Sequence, residues 1–264
     1  MFAERRRQEI LKLIEERGFV RISNLGKKFN VTDMTIRRDI DHLSERGLVR
    51  RVHGGAVSEF SSPPEPDGRD QSVKLATTFL KRNLEFGLQK EKIGRRAQEF
   101  VDPGSTIIID GGTTNEAFAE RLDRTMSLRV ITHALNIACL LSHAESFELF
   151  VPGGLLNRLT MSFTGMEVER MYEELNADIL FLCASGISLH RGLTDPTWLD
   201  TSIKKAMVRA SRRKILLIAS HKFDLVSSRT FASLEDIDTV VTDDGLDGEL
   251  YRKYVDAEVD LILA

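Results

Sequence analysis

The chain has little of what would tie it to a membrane, a metal or an oxidising compartment. Its 264 residues hold no apolar run near the ~18 residues of a membrane span. The two cysteines, Cys139 and Cys183, lie far apart and without partners at metal-ligand spacing. Neither a disulfide framework nor a structural zinc is therefore expected. Behind Met1 the chain runs straight into Glu4-Arg5-Arg6-Arg7, with no apolar core or cleavage motif. A secretory signal is not expected, and the expected compartment is the cytoplasm. No Gly-Lys-Ser/Thr follows any glycine-rich turn, so nucleotide hydrolysis has no support. No cofactor and no metal are expected.

What is present is an ordinary globular composition, 42% hydrophobic and 29% charged. The length is comfortable for two domains, since domains cluster near ~100–150 residues. The net charge of −3 conceals an asymmetry. Residues 1–60 carry 13 Lys/Arg against 9 Asp/Glu, and the remainder carries 24 against 31. A basic head on an acidic body fits a nucleic-acid reader joined to another module.

The two parts meet at a stretch where Ser, Gly and charges surround Pro63, Pro64 and Pro66 without hydrophobic periodicity. The boundaries this implies are 1–57, a linker at 58–73, and 74–264. A helical pattern at 74–86 points to an ordered connector. Upstream, Ile10, Leu11, Leu13 and Ile14 predict a helix over 4–17 that stops at Gly18. Val20 and Ile22 form a short extended piece. Ser23 reads as the N-cap of a second helix through Phe29, and Thr32 as the cap of a third that reaches Arg46. The following residues, 48–57, read as a β-hairpin turning at Gly54-Gly55. Three short helices and a hairpin make a winged helix-turn-helix.

On the third helix Val31, Ile36, Ile40 and Leu43 share one face as core, and Thr32, Met34, Thr35, Arg37 and Arg38 lie near its N-terminus on the other. That end of a recognition helix enters the major groove, where Arg reads guanine edges and Thr meets phosphate or a thymine methyl. Arg50, Arg51 and His53 on the hairpin are placed for backbone or minor groove. The competing reading pairs Arg37 and Arg38 locally with Asp39 and Asp41 on a solvated face.

Downstream, short apolar runs at 106–109, 128–132, 147–151, 179–184, 215–219, 239–242 and 260–263 alternate with helical patterns at 116–122, 136–142, 202–211 and 248–255. This is an α/β domain around a largely parallel sheet, with any ligand beyond the carboxyl ends of the strands. There stand Asp110-Gly111-Gly112-Thr113-Thr114, Thr132-His133-Ala134, Pro152-Gly153-Gly154 and Ser185-Gly186. Glycines let backbone N–H groups approach an anion, and the threonines add hydroxyl donors. Asp110 could accept from sugar hydroxyls. Small-residue loops of this kind suit a phosphorylated polyol.

Thr35-Ile-Arg-Arg-Asp-Ile and Gly47-Leu-Val-Arg-Arg-Val-His-Gly-Gly-Ala resemble the N-terminal signature of the DeoR family of bacterial transcriptional regulators. Glu91-Lys-Ile-Gly, Asp110-Gly-Gly-Thr-Thr, Val130-Ile-Thr, Pro152-Gly-Gly, Gly192-Leu-Thr and Lys222-Phe follow in the family's order. The resemblance implies a ribose-phosphate-isomerase-like sensor behind the winged helix-turn-helix, a homo-oligomer (dimer or tetramer), and double-stranded operator DNA as partner, with no membrane. It implies a repressor of a carbohydrate-catabolism operon, relieved by a phosphorylated sugar. Carried over, the effector pocket is Asp110, Gly111, Gly112, Thr113, Thr114, Thr132, Gly153, Gly154, Gly186 and Lys222. His133 joins it where the family commonly has Asn, either reading a different ligand group or serving as a satisfied loop histidine. The family's Asp positions are Ser185 and Ala219 here, which weakens an isomerase-like enzyme and leaves the reading non-enzymatic. A body that only oligomerises is the other alternative.

Overall fold

The computed structural model describes residues 3–17, 19–45, 48–52, 55–58 and 86–264. They fall in two compact units, Met1–Asp70 and Gln71–Ala264. His53, most of the expected linker and the helical pattern at 74–85 lie outside the described residues.

In the first unit, α1 (Ala3–Arg17), β1 (Phe19–Arg21), α2 (Ile22–Phe29), α3 (Asp33–Glu45), β2 (Val49–Val52) and β3 (Gly55–Ser58) follow in order. The wing is an antiparallel sheet in the order β1-β3-β2. The helix α2 begins at Ile22, so Ser23 sits inside it and is not its cap. Gly55, expected in the turn of the hairpin, likewise belongs to β3, opposite Val52, while Gly54 lies outside the described residues. Thr32 does cap α3, its hydroxyl accepting from the Thr35 N–H at 3.3 Å. Asn30, at φ 52, supplies the left-handed residue between α2 and α3. Ile10, Ile14, Leu25, Ile36, Ile40 and Val49 close a small core.

Polar chemistry locks the same helices. Asp39 is buried on α3 and accepts from Arg6 Nε at 2.6 Å and Arg7 Nε at 3.0 Å, both on α1. The aspartate following the Arg pair therefore belongs to the core. Arg37 and Arg38 stay exposed, with no ion pair among the described residues.

The second unit is built on a seven-stranded sheet in the order β15-β14-β12-β9-β4-β5-β6, parallel throughout. Its strands are β4 (Thr106–Ile109), β5 (Leu128–Ile131), β6 (Phe147–Phe150), β9 (Ala177–Leu182), β12 (Ser211–Leu217), β14 (Thr239–Thr242) and β15 (Leu261–Leu263). Alternate residues of the strands face opposite cores. Ile107, Ile109, Phe181 and Leu217 pack under α4 (Gly87–Ala97), α5 (Thr113–Ala119) and α6 (Leu135–Leu141). Ile108, Leu180, Leu182 and Leu216 pack under α7 (Met166–Glu173), α8 (Trp198–Arg209) and α9 (Gly248–Val255). Burial on both faces explains the continuous apolar runs.

Smaller strands decorate the carboxyl edge. β7 (Leu155–Asn157) and β8 (Ser162–Thr164) form a hairpin. β10 (Gly186–Ser188), β11 (Gly192–Asp195) and β13 (Arg229–Ala232) form an antiparallel sheet. The helix expected at 202–211 starts earlier, at Trp198. Thr197 caps it, accepting from the Asp200 N–H at 3.3 Å while its hydroxyl donates to Asp200 Oδ2 at 2.5 Å.

Replacing Asp39 with Ala leaves Arg6 buried without its carboxylate, at a cost of about 3 kcal/mol. Hydrogen exchange by mass spectrometry should then quicken across residues 3–45 of the full chain and remain unchanged across 86–264. Unchanged exchange in α1 and α3 would show that the pair does not hold them.

Candidate functional site

The chain leaves β4 first toward β5 and β6, then returns to lay β9 against the opposite side of β4. The loops after β4 and β9 therefore diverge, which opens a crevice at their carboxyl ends. A cavity of about 310 Å³ lies there, lined by Gly111–Thr114, Cys183–Ser185 and residues from α4, α8 and the β7–β8 hairpin.

Asp110 ends β4 and is 1% exposed. Its Oδ1 accepts from the Gly111 N–H at 2.7 Å, and its Oδ2 from the Cys183 N–H at 3.0 Å. Asn115 ties the same strands together, donating to the carbonyls of Asp110 and Phe181, each at 2.9 Å. Gly112 follows with φ 132, a conformation that disfavours any side chain.

Lys204 comes up from α8 to join this turn. Its Nζ lies 2.9 Å from Asp110 Oδ2, 2.7 Å from Asp195 Oδ2 and 2.5 Å from the Cys183 carbonyl. An ammonium has three N–H donors, and three acceptors meet it. Asp195 in turn accepts from the Ser185 N–H at 2.8 Å. Burial opposes the charge on Lys204, but Asp110 and Asp195 outweigh it and hold the lysine protonated. Burial also pushes the Asp110 carboxyl above its ordinary range, with the Lys204 ammonium opposing. Asp110 is thus a strut of the site, each oxygen accepting from the protein, and it also lines the cavity.

His133 lines the cavity at 3% exposure. Its Nδ1 is hydrogen-bonded with the Tyr172 hydroxyl at 3.2 Å, and its Nε2 lies 3.9 Å from Asp110 Oδ1. Burial, helped by the Lys204 charge, lowers its pKa to about 4, so the ring is neutral near pH 7. Burial and the Asp110 charge push the Cys183 thiol up to about 11, which keeps it an unreactive wall group.

Of the residues expected to bind an effector, Asp110, Gly111, Gly112, Thr113, Thr114, His133 and Lys222 meet at this cavity. Lys222 also donates to the Ala184 carbonyl at 2.9 Å. Thr132, Gly153, Gly154 and Gly186 are not on its wall. The Thr132 hydroxyl is buried and accepts from the Ala134 N–H. Gly154 and Gly186 allow close passage of the Thr164 and Leu225 carbonyls instead. Sequence reasoning missed Lys90, Asp195, Asp200 and Lys204. A signal existed: Lys204 stands beside Ile203 in a stripe with Ala206 and Met207, and Lys90 precedes Ile93, Gly94 and Ala97 at helical spacing. Lysines on apolar faces of buried helices need partners.

In the first unit the exposed side of α3 presents Thr32, Met34, Arg37 and Arg38, with Thr35 half-buried. Met34 is 59% exposed. The backbones of Arg50 and Arg51 lie in β2, the outer strand of the wing.

The chain belongs to the DeoR family of transcriptional regulators. The DeoR-like helix-turn-helix domain matches residues 6–61, and the DeoR C-terminal sensor domain matches 86–244. The protein is a DNA-binding regulator of transcription, not an enzyme. It is similar to the HTH-type regulator YgbI of Escherichia coli, 34% identical over 100% of this chain and 99% of that one. It is also similar to the glycerol-3-phosphate regulon repressor of Haemophilus influenzae, 31% identical over 92% and 90%. Among solved structures, ribose 5-phosphate isomerase A of Methanocaldococcus jannaschii is matched at 17% identity and a TM-score of 0.38, over 51% of this chain and 53% of that one. Among the described residues no helix is long and apolar enough to cross a membrane.

The low pKa of His133 gives a pH signature. Between its unfolded value of 6.5 and about 4 the unfolded state binds more protons than the native state, so stability falls as pH drops through that window. The loss amounts to about 3 kcal/mol at most. His133→Asn should flatten the decline in urea-unfolding free energy between pH 6.5 and 4. An equal slope in both proteins would show that His133 is not buried neutral.

Proposed function

We propose that this regulator represses a carbohydrate-catabolism operon and releases its operator when a phosphorylated sugar enters the cavity at the β4–β9 crevice. Residues 1–57 read DNA, 58–73 link, and 74–264 sense and oligomerise as a dimer or tetramer. The observation that carries the reading is the composition of the cavity wall. Lys90 and Lys222 stand there with the Gly111–Thr114 turn, which offers two threonine hydroxyls and the first N–H groups of α5, without carbonyls one turn earlier in the helix. Such a set favours an anion of phosphate type. Lys204 takes no part in that capture, because its donors are committed to Asp110, Asp195 and Cys183. Relatives that carry the names of operon and regulon repressors support the repressor sign.

On the DNA side, Thr32, Met34, Thr35, Arg37 and Arg38 meet the major groove, and Arg50, Arg51 and His53 meet the backbone or minor groove. The exposure of Arg37 and Arg38 supports this assignment, since Asp39 is already occupied by α1. An effector–operator coupling of about 1–3 kcal/mol, or ~5–150-fold, suffices for a switch.

Fluorescence anisotropy on the gene's own upstream intergenic DNA, at fixed salt, tests both halves. Arg37→Ala should weaken specific binding by about 1–3 kcal/mol. Unchanged affinity removes that side chain from the reading surface. Thr113→Glu places a carboxylate in the anion site, so DNA binding should persist and release by sugar phosphates should vanish. Normal release by this variant would place the effector elsewhere, and indifference of the wild-type complex to every sugar phosphate would leave the second unit as an oligomerisation module only.

A further inference from the structure

Two of the residues that line the cavity, Phe86 and His221, carry rings stacked on one another. Their centroids lie 4.1 Å apart and their planes 21° from parallel. Phe86 is 45% exposed, and His221 is exposed as well. An exposure that large includes the ring, since the main chain is a small share of a phenylalanine's surface. The pair thus shares one face and leaves other ring surface open.

Position 86 is a costly place for phenylalanine. Phe86 precedes α4 with φ 57, a left-handed conformation that Gly or Asn adopts with less strain. A bulky residue held there with ring surface in water has neither its backbone nor burial in its favour. Stacking on His221 offsets part of that cost. A ligand that covers the open ring surface offsets more.

The rings stand next to the cations of the cavity. The Lys90 N–H donates to the Phe86 carbonyl at 3.1 Å, so the two residues are one helical turn apart. Lys222 directly follows His221 in the single turn Ser220–Lys222 after β12. The same two elements therefore supply both lysines and both rings. A phosphate held by the lysines leaves the carbons bonded to it beside the rings. An open-chain polyol presents hydroxyls on all sides, whereas a cyclic sugar gathers C–H groups on a face of its ring. Such a face is apolar, and its C–H hydrogens suit the negative face of an aromatic ring.

We propose that the effector is a cyclic sugar phosphate whose ring packs on the Phe86–His221 pair, with Phe86 a specificity-determining residue of the sensor. The inference rests on the effector reading above and narrows its ligand class.

The test is calorimetry on the full-length protein with glycerol 3-phosphate, ribose 5-phosphate, glucose 6-phosphate and fructose 1-phosphate, for wild type, Phe86→Asn, Phe86→Tyr and His221→Ala. One of the cyclic compounds should bind wild type more tightly than glycerol 3-phosphate, which cannot close a ring. Phe86→Asn should bind that compound about 10-fold more weakly, and Phe86→Tyr should stay within about 2-fold of wild type. His221→Ala should show a smaller loss in the same direction. Without ligand Phe86→Asn should melt close to wild type, because Asn accepts the left-handed backbone. If it melts well below, His221→Ala decides, and unchanged affinity in that variant overturns the assignment. Equal affinity of Phe86→Asn and wild type, or glycerol 3-phosphate as the tightest ligand of wild type, overturns the inference while leaving the cavity as the effector site. Indifference of the wild-type protein to every compound overturns the effector reading and this inference with it.

Discussion

The second unit depends on one ammonium group. Lys204 gathers the ends of β4, β9 and β11 through Asp110, the Cys183 carbonyl and Asp195, each acceptor lying on the last residue of a strand or the one after it. At a point where neighbouring loops diverge, nothing in the strand ladder holds the ends at a set spacing. A buried cation with three acceptors does so, at a desolvation cost that its two carboxylates offset. It also packs on the ring of Phe231 from β13, at 5.1 Å to the centroid, which anchors the antiparallel sheet to the same post. The cavity is the space that remains around this arrangement. Its charge is balanced locally, so a ligand meets a wall whose shape is already settled.

Much of this is legible in the chain. The seven core strands show as apolar runs because both of their faces are covered, and periodicity needs no tertiary information to reveal that. The glycine turn after β4 is visible for a similar reason, since its conformation is local. Other features are absent from any such reading because they depend on distant partners. That Asp110 is paired with Lys204, ninety-four positions later, is one such feature. β7, β8 and β10, three residues each and outside the main sheet, carry too few positions for alternation to show. Gly154 and Gly186 look like loop glycines beside a ligand, and each instead makes room for a passing backbone. Ser23 illustrates a smaller point: a good capping residue one position inside a helix is common, and only the backbone path tells the two apart.

The N-terminal unit solves an analogous problem with the signs exchanged. There a buried carboxylate, Asp39, is held by two guanidinium groups from a neighbouring helix. Had Asp39 remained on the surface, it would have neutralised the Arg pair beside it. Drawing it into the core leaves α3 with positive charge on its outer face, which raises its attraction for a polyanion without changing the net charge of the chain.

The β7–β8 hairpin has a consequence on a longer timescale than any binding event. The groups that set the shape of the cavity lie on the sheet and on α8, and those of the hairpin lie on a short excursion fastened by backbone bonds to His133 and Leu135. Side chains on such an excursion can be exchanged one at a time without disturbing the strand ends. A chamber built this way keeps its strand ends while the side chains of the hairpin are exchanged, so one wall of the cavity can change over generations while the fold stays intact.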